Sequence, residues 1–543
     1  MTEKGKILKS ASVVALATVI SRICGYLRDQ RVALLLGTSP AADSFILAFR
    51  IPNMIRRMTG EGALGASFVP VFVGYLRGKP PKETWQFARR TFWDTAVVLA
   101  VLAVLGSIFS RQIIGIFTVL GMHHVRWDLA VYLNRIIFPC VLFLGLAALA
   151  SAILISFHRF GLPASTSIFF NLVFIVFSFG VIYRPLMKLA PVAYRTPAVA
   201  LAIGILLGSV LTLAIQIPAL IKLGMRFRPD VNFDDPGVQK VGKLMLPAFF
   251  GIGVFQVNFF VDTLFATSSR MPTGSVMSLY VADRVMELVL GVYAIAISTV
   301  ILPTMSHQVA GGKYDEMKQT FGFALRVVSF ITIPAAVGLI LLRVPITQVL
   351  FQHGEFMAES TALTAHALLF YSLGLPAFAA IKLITPMYYS TQDTMTPARV
   401  GAYAVGLHLL LNVVLLFAFG RFFWNASPAL ASSLAAYFYF GVLFWVFRGR
   451  YGTLGTRAII GSLAKSMACA IAMAAVCFAA LKYSHFATVE HILARAALLF
   501  AMIAASTAAY FGLAWLLRCE ELPELFLLLR RAEPEVATTG LDV

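Results

Sequence analysis

The sequence predicts an all-α, polytopic membrane protein, and three observations carry that reading. Hydrophobic residues make up 59% of the 543 positions and charged ones only 13%, far from the balance of a soluble globular chain. Apolar stretches long enough to cross a bilayer core of about 30 Å recur from one end of the chain to the other, about fourteen in all. The formal charge of +19 is unevenly placed. With both termini cytoplasmic, most of the Lys and Arg outside the spans fall in the tails and the loops on that same side, as the positive-inside rule requires. The excess cation therefore reports topology and does not call for nucleic acid.

Taken in order, the spans start near Lys9, Asp43, Phe87, Leu129, Pro163, Ala198, Val241, Ser275, Thr320, Thr361, Pro397, Pro428, Ala458 and Leu493. The basic residues at 4, 6 and 9 ahead of the first apolar run resemble a signal peptide, but Arg22, Arg28 and Asp29 end that run without a cleavage site. It reads as an uncleaved first span. The second span holds Asp43, Arg50, Arg56 and Arg57, with Pro52 bending it. Asp262 lies alone in the seventh span, Asp283, Arg284 and Glu287 cluster in the eighth, and Asn412 is alone in the eleventh. His123, His124 and His353 fall in external loops and are expected to be solvated. The five cysteines are scattered and odd in number, so they suggest packing residues and no disulfide or zinc framework.

Short patterns recur at an offset of about 234 residues. Ala48-Phe49-Arg50 answers Ala282-Asp283-Arg284, Phe68-Val69-Pro70 answers Ile301-Leu302-Pro303, and Pro163-Ala164 answers Pro397-Ala398. Such order predicts two six-helix lobes, residues 1–228 and 229–452, related by a pseudo-two-fold axis along the membrane normal. Two further helices (453–520) and a cytoplasmic tail (521–543) complete the chain. The first two spans of each lobe would line a cavity.

An arginine facing lipid at mid-depth costs about 2.5–3.5 kcal/mol on insertion scales, so Arg22, Arg28, Arg56 and Arg57 are expected to line protein or water, and Arg50 either to do the same or to snorkel to a surface. Arg22 and Asp29, seven apart, share a helix face, and Asp43, Arg50 and Arg57 repeat that spacing. Arg57 and Glu61 are four apart, and Asp283, Arg284 and Glu287 form an i, i+1, i+4 group. Arginine in excess of carboxylate suits a phosphate-bearing ligand, because guanidinium offers paired donors and stays charged. A cationic drug would want the opposite lining. Asp262 and Asn412 are polar groups at membrane depth, suited to helix–helix hydrogen bonding or to a coupling cation. Residues 60–65 satisfy the letters of a dinucleotide fingerprint, but no strand precedes them. HExxH and GxSxG motifs are absent, which argues against hydrolytic or transferase chemistry.

Ser21-Arg22-Ile23-Cys24-Gly25-Tyr26-Leu27-Arg28-Asp29, Ala48-Phe49-Arg50-Ile51-Pro52-Asn53-Met54-Ile55-Arg56-Arg57, Glu61-Gly62-Ala63 and Phe68-Val69-Pro70 closely resemble the bacterial MurJ (MviN) lipid II flippase family. Tyr280-Val281-Ala282-Asp283-Arg284-Val285-Met286-Glu287 and Phe351-Gln352-His353-Gly354 fit the same pattern. That family belongs to the multidrug/oligosaccharidyl-lipid/polysaccharide (MOP) exporter superfamily, with two six-helix lobes and two added helices. The resemblance implies a transporter and not an enzyme. It would move undecaprenyl-pyrophosphate-linked peptidoglycan precursor, lipid II, from the inner to the outer leaflet of the bacterial inner membrane by alternating access. It implies Arg22, Arg28, Arg56 and Arg284 as substrate-binding residues, with Asp29 orienting Arg28. Glu61 and Glu287 belong to the gate, supported by Asp43, Arg57 and Asp283. The last two helices would form a groove for the lipid tail. Some members carry sodium in the second lobe; Asp262 matches that pattern, and His408 and Asn412 match it loosely. No cofactor is implied beyond sodium or membrane-potential coupling. The implied partners are lipid II, membrane lipids and peptidoglycan-synthesis enzymes. The alternatives are a flippase for another polyprenyl-linked glycan of the O-antigen type, and a non-transport scaffold of the wall-synthesis machinery.

Overall fold

The computed structural model describes residues 3–59, 64–121, 124–484, 486–489 and 491–524. Among the described residues the secondary structure is helical and no strand occurs. A lipid core offers backbone groups no water, so each crossing segment must satisfy its own amides, which a helix does. Among the described residues nine helical spans are long and apolar enough to cross a membrane, or ten if one bent pair counts as a single span. A helix also begins within six residues of each of the fourteen expected starts. Among the described residues, the chain divides into two compact units. One is drawn from Met1–Val281, Phe351–Leu363 and Leu409–Pro428, and the other from Ala282–Leu350, Thr364–His408 and Ala429–Val543.

The helices numbered first belong to the first unit: α1 (Glu3–Leu36), α2 (Pro40–Met58), α3 (Leu64–Gly78), α4 (Pro81–Ile108), α5 (Ser110–Gly115), α6 (Trp127–Ile137), α7 (Cys140–Ser156), α8 (Gly161–Phe177), α9 (Gly180–Leu189), α10 (Pro197–Ala214), α11 (Ile217–Lys222) and α12 (Pro236–Ala266). Their starts follow local chemistry. Ser39 caps α2 by accepting from Ala42 N, with Pro40 at the first helical position, and Asp235 caps α12 by accepting from Gly237 N and Val238 N ahead of Pro236. Pro52 lies inside α2 without ending it, since the helix runs unbroken to Met58. The core joins α3 to α4 through stacked rings, Phe68 with Phe72 at 5.1 Å and with Phe87 at 5.7 Å, and α7 adds aliphatic side chains such as Leu149 and Ile153. Helices α8 and α10 approach closely because Gly208 has no side chain; a Cβ there would lie 3.1 Å from Phe170 O.

The remaining helices are α13 (Ser275–Ala310), α14 (Tyr314–Phe351), α15 (Ala358–Ser390), α16 (Met395–Phe417), α17 (Gly420–Phe423), α18 (Ser427–Tyr451), α19 (Thr456–Tyr483) and α20 (Ile492–Leu516). Within the second unit α14, α19 and α20 pack around Phe330, Cys469 and Tyr510, whose hydroxyl donates to Phe330 O at 2.7 Å. Arg326 of α14 pairs with Glu520 at 2.7 Å and Glu521 at 3.5 Å just beyond α20. All five cysteines are buried and free, as packing residues should be.

Segment 351–363 joins the first unit through the end of α1. Glu355 N donates to Leu34 O at 2.9 Å, and the Thr38 and Ser360 hydroxyls are 2.8 Å apart. Gly354 makes the contact workable: it holds φ +58°, and a Cβ would lie 2.5 Å from Leu34 O.

Candidate functional site

Within the first unit a narrow cleft is lined by Arg28, Asp29 and Val32 of α1, Phe45, Ile46 and Phe49 of α2, Phe170 and Phe174 of α8, Ile205 of α10, and Tyr280. Its walls are aromatic and aliphatic, with one charged pair set into them. Arg28 donates to Asp29 Oδ1 twice, through Nε at 2.9 Å and Nη2 at 2.7 Å, and its Nη1 donates to Asn171 Oδ1 at 3.1 Å. Tyr280 OH gives the same Asp29 oxygen a further bond at 2.8 Å. Asp29 is 5% exposed, so its charge is stable there only because it is paired and hydrogen-bonded. The Arg28 side chain keeps 19% exposure. Neighbours on a helix meet here because the long Arg28 side chain folds back across the turn to its adjacent carboxylate.

Asp43 has a different set of partners. It is fully buried at the start of α2, and its two oxygens accept from Gly274 N and Met277 N at 2.8 Å each. Those amides open α13, so the carboxylate caps a helix N-terminus and meets the positive end of its dipole. His124 Nε2 lies 3.9 Å from Asp43 Oδ2 and 3.2 Å from Ala266 O, with only 7% of its side chain exposed. This corrects the expectation of a solvated His124: the loop folds inward to cover the buried carboxylate. His123 lies outside the described residues.

The second half of α2 carries the other cations. Arg56 Nε donates to Asn53 Oδ1 at 3.0 Å, and the Arg57 guanidinium lies 5.6 Å from the Phe259 ring centroid, a cation–π contact with α12. Arg50 is half-buried, and Arg22 on α1 is exposed. Asp262 and Asn412 are both buried in the first unit. His408, assigned to the second unit, is buried with its Nε2 3.2 Å from Ser432 Oγ. In the second unit Arg284 Nη1 donates to Glu287 Oε2 at 2.5 Å, and Asp283 beside it is buried. Glu61 lies outside the described residues.

Three participants were not singled out from the sequence. Asn171 was legible in principle, as a lone amide in the apolar run of α8. Tyr280 stood in a family-like motif without an assigned role. Arg31 donates to Ser178 at the end of α8, to Oγ and to the carbonyl, both at 2.9 Å.

Comparison with known proteins agrees with the architecture. The family model described as "Lipid II flippase MurJ" matches residues 32–497. A protein of Vibrio cholerae serotype O1 named "Probable lipid II flippase MurJ" is 35% identical over 452 residues, covering 82% of this chain and 83% of its own. Among solved structures, "Lipid II flippase MurJ, inward closed conformation" superposes with a TM-score of 0.76 at 24% identity, over 94% of this chain and 99% of that one. An inward-facing multidrug resistance MATE family transporter of the MOP superfamily gives 0.63 at 14% identity, over 82% and 99%. At those identities the structural likenesses speak for the fold.

Proposed function

The chain belongs to the lipid II flippase MurJ family, and on that premise we propose how its residues carry a pyrophosphate-linked precursor across the membrane. It is a multi-pass membrane transporter whose substrate is lipid II. The single observation that carries the assignment of the site is Arg28, a guanidinium held in an apolar cleft by Asp29 and Asn171, with Tyr280 bonded to the same Asp29 oxygen. Such a cation is oriented before the ligand arrives, so less ordering is left for binding to supply. Phosphate oxygens accept paired donors from guanidinium, and the cleft's aromatic walls keep water from competing.

Arg22, Arg56 and Arg284 are kept with Arg28 as proposed phosphate ligands. Asp43, Arg57, Glu61, Asp283 and Glu287 are assigned to gating. The division into 1–228, 229–452, 453–520 and 521–543 is kept as the proposed organisation, with the helices of 453–520 taking the lipid tail. Both termini are placed in the cytoplasm and the chain in the inner membrane, from the distribution of its Lys and Arg.

The mechanism proposed is alternating access. The head group enters from the inner leaflet, the anion is gripped and then released outside, and its tail stays in lipid. No bond is broken. An inside-negative potential favours outward movement by about 2.3 kcal/mol per charge per 100 mV, and roughly twice that for a pyrophosphate of charge near −2. Asp262 with Asn412 is the proposed sodium pair. They supply one carboxylate and one amide oxygen, fewer side-chain donors than a dedicated cation cage uses, so no step is routed through an ion. Loss of sodium-dependent transport in Asp262→Asn would support that assignment.

The decisive experiment depletes the native flippase of a bacterium, supplies this chain as wild type or Arg28→Ala at equal membrane abundance, and assays outer-leaflet lipid II. Rescue by wild type and failure of the variant is the expected result. Rescue by neither points to another polyprenyl-linked glycan, and rescue by both to a scaffold or a different site.

A further inference from the structure

Helix α9 is short, and it is turned by 73° from α8 after a break of two residues. The corner is held firmly. Arg31 of α1 places its guanidinium on Ser178, the last residue before the turn, and 4.8 Å from the centroid of the Phe179 ring. A cation bonded to the final carbonyl of a helix also meets the negative end of its dipole. Because α8 is an apolar span, a bend this large takes α9 away from the span axis.

Exposure along α9 follows the helical period. Val181, Arg184, Pro185, Lys188 and Leu189 are exposed, whereas Ile182, Tyr183, Leu186 and Met187 are half-buried. The exposed stripe is itself divided. At 100° per residue Arg184 and Lys188 form one edge, and Val181, Pro185 and Leu189 form the other. Val181 is 87% exposed and Leu189 81%, which a face in water would not favour. Charge adds an independent argument: between Asp128 and Asp230 the chain holds no Asp or Glu at all. The two cations therefore have no carboxylate in their own stretch of sequence, and the partner they fit is anionic. Tyr132 and Tyr194, stacked at 4.8 Å, add the amphipathic rings common at a membrane boundary.

We propose that α9 is an interfacial seat for anionic phospholipid head groups, with Arg184 and Lys188 on the phosphates and Val181, Pro185 and Leu189 in the acyl border. The inference does not depend on the transported substrate. It is tested in the full chain by nitroxide labels on Val181→Cys and Leu189→Cys, since the native cysteines are buried. In nanodiscs of phosphatidylcholine with phosphatidylglycerol, both labels should be accessible to oxygen and shielded from a nickel chelate. Chelate access with or without phosphatidylglycerol overturns the proposal. The head-group assignment is read by titrating short-chain phosphatidylglycerol in neutral micelles with the Leu189→Cys label as reporter. Arg184→Gln with Lys188→Gln should weaken the apparent affinity about thirty-fold, and Arg184→Lys with Lys188→Arg should leave it within a few-fold. Equal affinity in the glutamine variant and wild type overturns the anionic assignment.

Discussion

Asp29 and Asp43 are both buried carboxylates on neighbouring helices of one unit, yet they are satisfied by opposite kinds of partner. Asp29 is held by side chains, the Arg28 guanidinium and the Tyr280 hydroxyl, whereas Asp43 is held by backbone amides of Gly274 and Met277. Side chains on rotatable bonds can exchange partners when an anion arrives, at the cost of one hydrogen-bond rearrangement. Amides at a helix start cannot turn without moving the helix. The first carboxylate is thus suited to prepare a ligand-binding cation, and the second to fix one segment against another.

The largest effect expected on this contrast comes from Asp29→Ala. It removes the Asp29 carboxylate from Arg28, which costs about 3–5 kcal/mol for a fully buried pair and falls to the lower end here because Arg28 is partly exposed. Thermal melting of the detergent-purified protein should drop, and lipid II transport should fall with it. Unchanged transport in that variant would separate Asp29 from the site. Asp43→Asn comes next: the amide can accept from one of the two backbone donors and opposes the other with its own N–H, at roughly 1–3 kcal/mol. The expected signature is faster hydrogen exchange at the start of α13, with no such change in Asp29→Ala. Tyr280→Phe removes one bond from Asp29 and should cost only about 0.5–1.5 kcal/mol. It should lower the affinity for a pyrophosphate probe more than it lowers the melting temperature.

The smallest effect lies away from both, in the strap that joins α4 to the segment before α12. Arg89 donates to Asp230 Oδ2 at 2.6 Å and Arg90 to Asp235 Oδ2 at 2.8 Å. The Arg89 hydrogen bond holds Asp230 below the usual carboxylate range, outweighing burial. Its contribution is therefore complete above the unfolded value of about 3.9 and is lost as pH falls below that, through the depressed folded value. A partly exposed pair is worth about 1 kcal/mol at most. Melting temperature should stay flat near neutrality and fall in acid, and the acid fall should shrink in Asp230→Asn.

Hydropathy placed the apolar helices because in lipid it is a local property, and every expected span start lies within six residues of a helix start, although the short helices such as α3 were not expected. The Arg28 and Asp29 pair was equally legible, as adjacent charges in an apolar run. Asn171 and Tyr280 were not, because they reach the pair from 143 and 251 residues away. Likewise the role of Asp43 was hidden, since spacing by sevens grouped it with Arg50 and Arg57, while its partners are amides 231 and 234 residues further on. His124 was misjudged for a related reason: loop polarity predicts water, but burial is decided by what the loop folds against.

By itself, then, the sequence determined a helical membrane protein of the lipid II flippase family, with an excess of arginine where lipid would reject it, because transfer energy and motif are properties of short segments. Only the tertiary structure decided which of those charges is neutralised, by what, and with how much freedom, because hydrogen bonds act over about 3 Å and join residues that the chain keeps hundreds of positions apart.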